Sequence, residues 1–162
     1  MIKKRFIVFL FCATMIMGNA LNVTAADINQ NTYEQEYFQW KGGSGLDSSI
    51  ASIKDFTFEI FDNVESKPFK INKSSVNISS YANVMDMKTN KIVNKYDGKK
   101  YKIELRSTKL FGKIKSATFT VGSDENKTIT GLDSGNYTLR VINTSMDLKP
   151  TSYRLVGGGY VN

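Results

Sequence analysis

The chain contains no histidine, and its single cysteine, Cys12, lies close to the N-terminus. Without histidine, Ser-His-Asp and Cys-His catalysis, histidine ligation of metals and histidine-based pH sensing are excluded. Removal of Cys12 with an N-terminal leader would also exclude zinc sites built from thiolates. We therefore expect a protein that is not an enzyme and that has no cofactor and no metal site.

Long apolar runs are scarce as well, and the one at the N-terminus is shorter than a membrane-spanning helix. Residues 3–5 are basic, residues 6–17 are apolar or small, and small residues follow at 23–26. That order is typical of a secretory signal peptide, whereas a spanning helix needs about 20 apolar residues. We predict a cleavable signal peptide, a secreted product that is free or associated with the cell surface, and no stable transmembrane anchor.

The balance of charge gives little sign of a nucleic-acid partner. The chain has 22 basic and 15 acidic residues, a net charge of +7. Removing the three basic residues of the leader from the 22 leaves 19 against 15, a net charge of +4. This mild excess predicts no nucleic-acid binding. The remaining chain of about 136 residues is long enough for one domain with a sizeable core, which needs no disulfides.

Alternation of apolar and polar residues is the main structural signal after the leader. It occurs at residues 56–60, 101–105, 117–121 and 137–141, with shorter versions at 69–71, 76–78 and 153–156. Period-two alternation places one set of side chains in a core and the other in solvent. Turn-forming clusters separate these runs, among them residues 97–98, 122–124 and the glycine triplet 157–159. We predict an all-β, antiparallel β-sandwich of about seven to eight strands, with a small barrel as the alternative.

These patterns divide the chain into three regions. Residues 1–26 form the predicted signal peptide, and residues 27–53 form a polar, flexible segment that includes a candidate first strand at 36–40. Residues 54–162 form the predicted β-sandwich domain.

One stretch is similar to a known type of domain. Residues 131–141 read Gly-Leu-Asp-Ser-Gly-Asn-Tyr-Thr-Leu-Arg-Val. This stretch resembles the Leu-x-x-Gly-x-Tyr-x-Leu-x-Val element of bacterial extracellular Ig-like and fibronectin-III-like sandwiches. The tyrosine of that element hydrogen-bonds back to the preceding corner. The resemblance implies an Ig-like sandwich in which Tyr137 takes this role, Leu132 fills the core and Gly135 is the glycine of the motif.

Two aromatic residues are candidates for ligand binding. Tyr37 and Trp40 belong to an aromatic run, and flat rings suit the C–H faces of sugars. On a strand Trp40 shares a face with Phe38, while Tyr37 lies on the other face. The alternative is that Phe38 and Trp40 cover one edge of the core.

Lysines concentrate after Met87, and Lys95, Lys99 and Lys100 are the candidates for contact with an anionic polymer or with anionic lipid head groups. The alternative is that these lysines are solvated and discourage pairing between strand edges. Loops rich in Asp and Asn, at residues 62–65 and 124–126, suit turns as well as calcium, and neither has the spacing of an EF-hand.

These observations favour a secreted, non-enzymatic binding or interaction module at the bacterial cell envelope. Its expected partners are cell-wall polysaccharide, an anionic envelope polymer or another surface protein. The alternative is a secreted effector, such as a small toxin, a bacteriocin-like protein or a membrane-active protein, which the basic balance and the apolar strands favour. A carboxylate-dependent hydrolase would need two carboxylates that only the fold brings together.

Overall fold

Short strands make up nearly all the regular structure in the computed structural model, which describes residues 36–41, 54–149 and 151–162. All of these residues belong to one compact unit, Asn31–Asn162. The strands are β1 (Tyr37–Lys41), β2 (Lys54–Ile60), β3 (Asn63–Glu65), β4 (Phe69–Ile71), β5 (Ser75–Asp86), β6 (Lys91–Val93), β7 (Lys100–Ser107), β8 (Ile114–Thr120), β9 (Glu125–Thr130), β10 (Gly135–Asn143) and β11 (Tyr153–Val161). A single 3-10 turn, Asn94–Tyr96, follows β6. The predicted signal peptide lies outside the described residues.

The strands form two antiparallel sheets. The six-stranded sheet has the order β1-β2-β11-β5-β6, and β9 pairs with the first half of β5. The five-stranded sheet has the order β3-β10-β7-β8, and β4 pairs with the start of β10. The predicted all-β class with antiparallel sheets is thus confirmed. Because β1 pairs with β2 over its whole length, the six-stranded sheet begins before residue 54.

The core lies where the inward faces of the two sheets meet. Phe56, Phe58 and Leu155 of the six-stranded sheet join Tyr101 and Leu139 of the five-stranded sheet in one buried cluster. Each fully buried large apolar side chain contributes about 1.5–3 kcal/mol. The rings of Phe58 and Tyr101 lie 6.1 Å apart across the interface. The alternation seen in the sequence therefore becomes one shared core.

A hydrogen-bonded link also crosses the core. The hydroxyls of Ser80 on β5 and Tyr101 on β7 lie 2.9 Å apart, and the Ser80 hydroxyl donates to the carbonyl of Gly158 at 3.0 Å. Burial raises the pKa of the Tyr101 phenol, while its hydrogen bond to Ser80 acts in the opposite direction. A buried hydroxyl without a hydrogen-bond partner destabilises the fold. Ser80 supplies that partner, which allows a tyrosine to be buried at position 101.

The prediction of a turn at residues 157–159 was wrong. These glycines lie within β11, paired with β2 on one side and β5 on the other. A Cβ atom on Gly159 would collide with the carbonyl oxygen of Ser79, and one on Gly157 with that of Tyr81. The neighbouring strands thus approach too closely for side chains there. Glycine is also the commonest turn residue, so composition by itself favoured the wrong reading.

The described residues contain eleven strands rather than the predicted seven to eight. Strands β3 and β6 have only three residues each and were not predicted, whereas the equally short β4 coincides with the alternation at residues 69–71. Strand β9 is rich in polar residues because one of its edges is open. Strand β5 is much longer than residues 76–78, since it alternates from Val76 to Val84.

Candidate binding face

The outward side of the six-stranded sheet is polar at its centre and carries two tyrosines. Alternate residues of β2, β11 and β5 enter the core, so those between them point away from it. We call two adjacent outward rows the tyrosine face: Asp55, Tyr160 and Ser79 in one row, and Thr57, Gly158 and Tyr81 in the next.

A depression of about 280 Å³ lies on the tyrosine face. Asp55 and Thr57 of β2, Ser79 and Tyr81 of β5, and Tyr160 of β11 line it. Asp124, from the turn between β8 and β9, adds to the lining. Pockets that enclose drug-sized ligands have about 300–1,000 Å³, so this shallower one suits a single ring of a larger ligand.

The two tyrosines are placed to act together. Tyr160 pairs with Ser79, two positions from Tyr81, so the tyrosines are diagonal neighbours. Such positions are about 7–8 Å apart, within reach of aromatic side chains. Tyr81 is 49% exposed. No described residue hydrogen-bonds to either tyrosine hydroxyl, so both remain available to a ligand.

Tyr37 lies at the edge of this surface, on β1 and in the outward row next to that of Thr57 and Tyr81. It is 45% exposed and pairs with Glu59 across β1 and β2. Burial and the nearby Glu59 carboxylate raise the pKa of Tyr37, so its phenol stays protonated and able to donate. Burial also raises the pKa of Glu59, which the Arg154 guanidinium at 4.0 Å partly offsets.

Trp40 lies on the opposite side of β1 from Tyr37 and packs on the core. Its ring centroid is 5.1 Å from that of Phe69 and 6.0 Å from that of Phe56. Phe38 stacks on Phe56 beside it at 5.5 Å. Trp40 is half-buried, and this packing occupies its ring. The structure therefore does not bring Trp40 together with Tyr37 as a sugar-stacking pair.

The three candidate lysines are not among the residues that line the depression. Lys95 follows β6, at the opposite edge of the six-stranded sheet from Tyr37, about 19 Å away at usual strand spacing. Its ammonium lies 4.6 Å from the ring centre of Tyr153 and 4.8 Å from that of Tyr96. The hydrogen bond to Tyr96 raises the pKa of Lys95.

The other two lysines adjoin the five-stranded sheet. Lys99 is exposed just before β7, and Lys100 begins that strand. The Lys100 ammonium hydrogen-bonds to the hydroxyl of Thr120 on the neighbouring strand. The three lysines thus lie on the segment from the end of β6 to the start of β7, where the Lys99 N–H donates to the Tyr96 carbonyl at 3.0 Å.

The motif residues 132, 135 and 137 lie at the start of β10. The Tyr137 hydroxyl donates to the carbonyl of Asp133 at 2.9 Å and accepts from its backbone N–H at 3.1 Å. Leu132 is buried in the core. Gly135 begins β10 and pairs with Ile71 of β4. Tyr137 thus fastens the loop before β10 to the strand itself.

Two carboxylates line the depression. They belong to Asp55 and Asp124, and both residues are exposed. Across residues 36–41, 54–149 and 151–162, no three His, Cys, Asp or Glu side chains are grouped to hold a metal ion. In the same residues no helix has the length and apolar character to span a membrane.

Comparison with protein-family models and with curated proteins gives no match. The chain matches no protein-family model, and no curated protein is similar to it at a significant level. The interpretation of the tyrosine face therefore rests on its geometry.

The central residues of this face were not identified from the sequence. Tyr81 lies in β5 beyond residues 76–78, the only part of that strand predicted from alternation. Tyr160 follows the glycines at 157–159, which were predicted to form a turn. The available signal was the alternation of buried residues from Val76 to Val84, which places Tyr81 outward. The position of Tyr160 beside it depends on the pairing of β5 with β11, which the pattern does not specify.

Proposed function

We propose that the protein is a secreted, non-enzymatic, Ig-like β-sandwich that binds uncharged polysaccharide of the bacterial cell envelope through the tyrosine face. The observation that carries the proposal is that two tyrosines, Tyr81 and Tyr160, line the same depression. Export by a signal peptide over residues 1–26 is part of the proposal.

The chemistry of the face suits a sugar polymer. The rings of Tyr81 and Tyr160 offer flat apolar surfaces for the C–H faces of a pyranose. Their hydroxyls, with those of Thr57 and Ser79, offer donors and acceptors for sugar hydroxyls. Because these groups lie on strands of one sheet, they are held in place before the ligand arrives, which lowers the entropic cost of binding.

The charge of the face favours an uncharged ligand over an anionic polymer. The described outward side chains of β2, β11 and β5 include only three charged ones, Asp55, Glu59 and Arg154. Two of the three are acidic, so this surface does not attract a polyanion, although the chain as a whole is basic.

The test is sedimentation of the protein with cell-wall sacculi, either retaining teichoic acid or stripped of it. We expect similar binding to both, with affinity about tenfold weaker for Tyr81→Ala, which corresponds to about 1.4 kcal/mol. Tyr81→Phe should retain most of the affinity because the ring remains. Phe111→Ala, which removes an exposed aromatic ring elsewhere, is the matched control and should bind normally.

Two results would contradict the proposal. One is retention of the unsubstituted chain that does not exceed that of an unrelated protein of similar basic charge. The other is equal affinity of the Tyr81→Ala variant and the unsubstituted chain for stripped sacculi. Circular dichroism of each variant verifies that the fold is unchanged.

A further inference from the structure

The hairpin between β7 and β8 carries the most exposed apolar side chains among the described residues. Leu110 is 86% exposed and Phe111 is 97% exposed. We call these two residues the hairpin tip. Ile114, at the start of β8, is 52% exposed next to it. Scattered apolar residues are common on protein surfaces, but a leucine and a phenylalanine adjacent at the end of a turn form a continuous apolar projection.

The backbone of the turn is built to present these two side chains. The N–H of Gly112 donates to the carbonyl of Lys109 at 2.8 Å, which closes a β-turn with the hairpin tip at its centre. Phe111 has φ = 59°, a left-handed conformation that usually selects glycine or asparagine. A Cβ atom on Gly112 would lie 2.5 Å from that of Ser107. A phenylalanine thus occupies a position where the backbone itself favours glycine.

The base of the hairpin is held firmly to the rest of the sheet. The N–H of Ser107 donates to the carbonyl of Lys113 at 3.1 Å, and the N–H of Thr108 donates to that of Asn136 at 2.9 Å. The Thr108 hydroxyl also bonds to the Asn136 carbonyl, at 3.2 Å. The hairpin tip therefore projects from an anchored support.

Lysines lie near the hairpin tip. The loop of residues 131–134 adjoins the hairpin, because Lys109 contacts the Ser134 carbonyl and Lys113 pairs with Asp133. Residues 72–74 adjoin that loop, since the Leu132 N–H donates to the Ser74 carbonyl at 3.0 Å. The hairpin loop and these two loops carry three lysines and one acidic residue: Lys73, Lys109, Lys113 and Asp133. Lys70 and Lys115 lie on the adjacent strands.

The one acidic residue leaves the lysines accessible. Asp133 pairs with Lys113 at 3.2 Å, and both side chains are more than half exposed. Lys109 lies 3.4 Å from the carbonyl of Ser134. Exposed contacts of this kind contribute little, so either ammonium group is able to exchange its partner for a phosphate.

We propose that the hairpin tip docks the protein on an anionic lipid bilayer, with Leu110 and Phe111 inserted below the head groups and the nearby lysines at lipid phosphates. An exposed apolar projection with lysines beside it matches an anionic bilayer, whose charged head groups lie above an apolar interior. This docking surface is separate from the tyrosine face and does not depend on the proposed polysaccharide binding.

The first test is co-sedimentation of the full chain with vesicles of phosphatidylcholine, with and without phosphatidylglycerol. All variants carry the same N-terminal segment, so differences between them report on the hairpin. We expect at least tenfold tighter binding to the anionic vesicles, and a loss of at least tenfold for Phe111→Gly. Glycine suits φ = 59°, so this variant should fold at least as well. Tyr81→Ala is the control and should bind normally.

The second test localises the contact. Phe111→Trp should show a blue-shifted emission that brominated lipids quench, and Tyr81→Trp should show neither. Equal binding of Phe111→Gly and the unsubstituted chain to anionic vesicles would overturn the proposal, as would an unshifted emission from Phe111→Trp. A lower molecular mass of Phe111→Gly in the absence of lipid would identify a second copy of the chain as the occupant and would also overturn it.

Discussion

The outward faces of the two sheets arise from the same alternating pattern but differ in how their polar groups are satisfied. On the five-stranded sheet, Glu104 contacts Lys102 at 2.9 Å and Arg106 at 3.9 Å. Arg106 also lies 3.7 Å from Glu65, and the Arg140 guanidinium donates twice to the Asn63 side chain, at 3.0 and 2.7 Å. Charges on that face are paired with one another.

The tyrosine face has the opposite character. Its hydroxyls, on Tyr81, Tyr160, Thr57 and Ser79, make no hydrogen bond to any described residue, and all four of these residues line one depression. A face whose groups already pair with each other has less to offer a ligand, because binding must first break those pairs. The difference therefore favours the six-stranded sheet as the binding surface.

The largest effect is expected where the six-stranded sheet depends on glycine. Gly159→Ala should destabilise the fold by about 3 kcal/mol, because the new Cβ atom meets the backbone of Ser79 and has no room to move. Gly98→Ala is the matched control: it has φ = 81° but nothing within 4 Å, so only backbone strain of about 1 kcal/mol is expected. Urea unfolding measures both, and equal losses would show that the close strand approach does not matter.

A smaller effect is expected at the bond that joins the sheets. Ser80→Ala leaves the Tyr101 hydroxyl buried without its partner and should cost about 2 kcal/mol. Tyr101→Phe removes the hydroxyl itself, and Ser80 keeps its bond to Gly158, so about 1 kcal/mol is expected. Equilibrium unfolding of the two variants tests the order. A larger loss for Tyr101→Phe would mean that the Tyr101 hydroxyl contributes more than its bond to Ser80.

The smallest effect is expected on the charged face. Glu104→Gln should cost about 0.5–1 kcal/mol in low salt, since its partners are partly exposed. The loss should shrink in about 1 M salt, where such contacts are screened over about 3 Å. Ser79→Ala on the tyrosine face should be insensitive to salt. Thermal unfolding at two salt concentrations compares them, and equal salt dependence would remove the electrostatic distinction between the faces.

Part of this arrangement followed from local pattern. The alternation around Phe58, Ile103 and Leu139 predicted strands and identified their buried sides, because a strand with one face in a core must alternate. The three-residue strands β3 and β6 escaped detection, since tertiary pairing and not propensity creates them. The glycines of β11 were misread because the reason for them is the proximity of two other strands, which no local window contains.

The candidate site was less accessible to prediction than the fold. Tyr37 was selected and lies at the margin of the exposed surface, whereas Trp40 packs on the core. Lys95, Lys99 and Lys100 lie together on the segment from β6 to β7, but they do not line the depression between the tyrosines. In the sequence, the hairpin tip is only a pair of apolar residues between two lysines. Their exposure depends on whether the turn faces the core or the solvent.

The sequence by itself determined the class of fold and the chemistry that is absent. Alternation of apolar and polar residues fits strands with one buried face. A chain without histidine has no imidazole for catalysis or metal binding. Only the tertiary structure decided which outward residues share a surface. Tyr81 and Tyr160 become neighbours because β5 and β11 pair across a large separation in the chain. Such pairing depends on how the whole core closes, and therefore no segment encodes it alone.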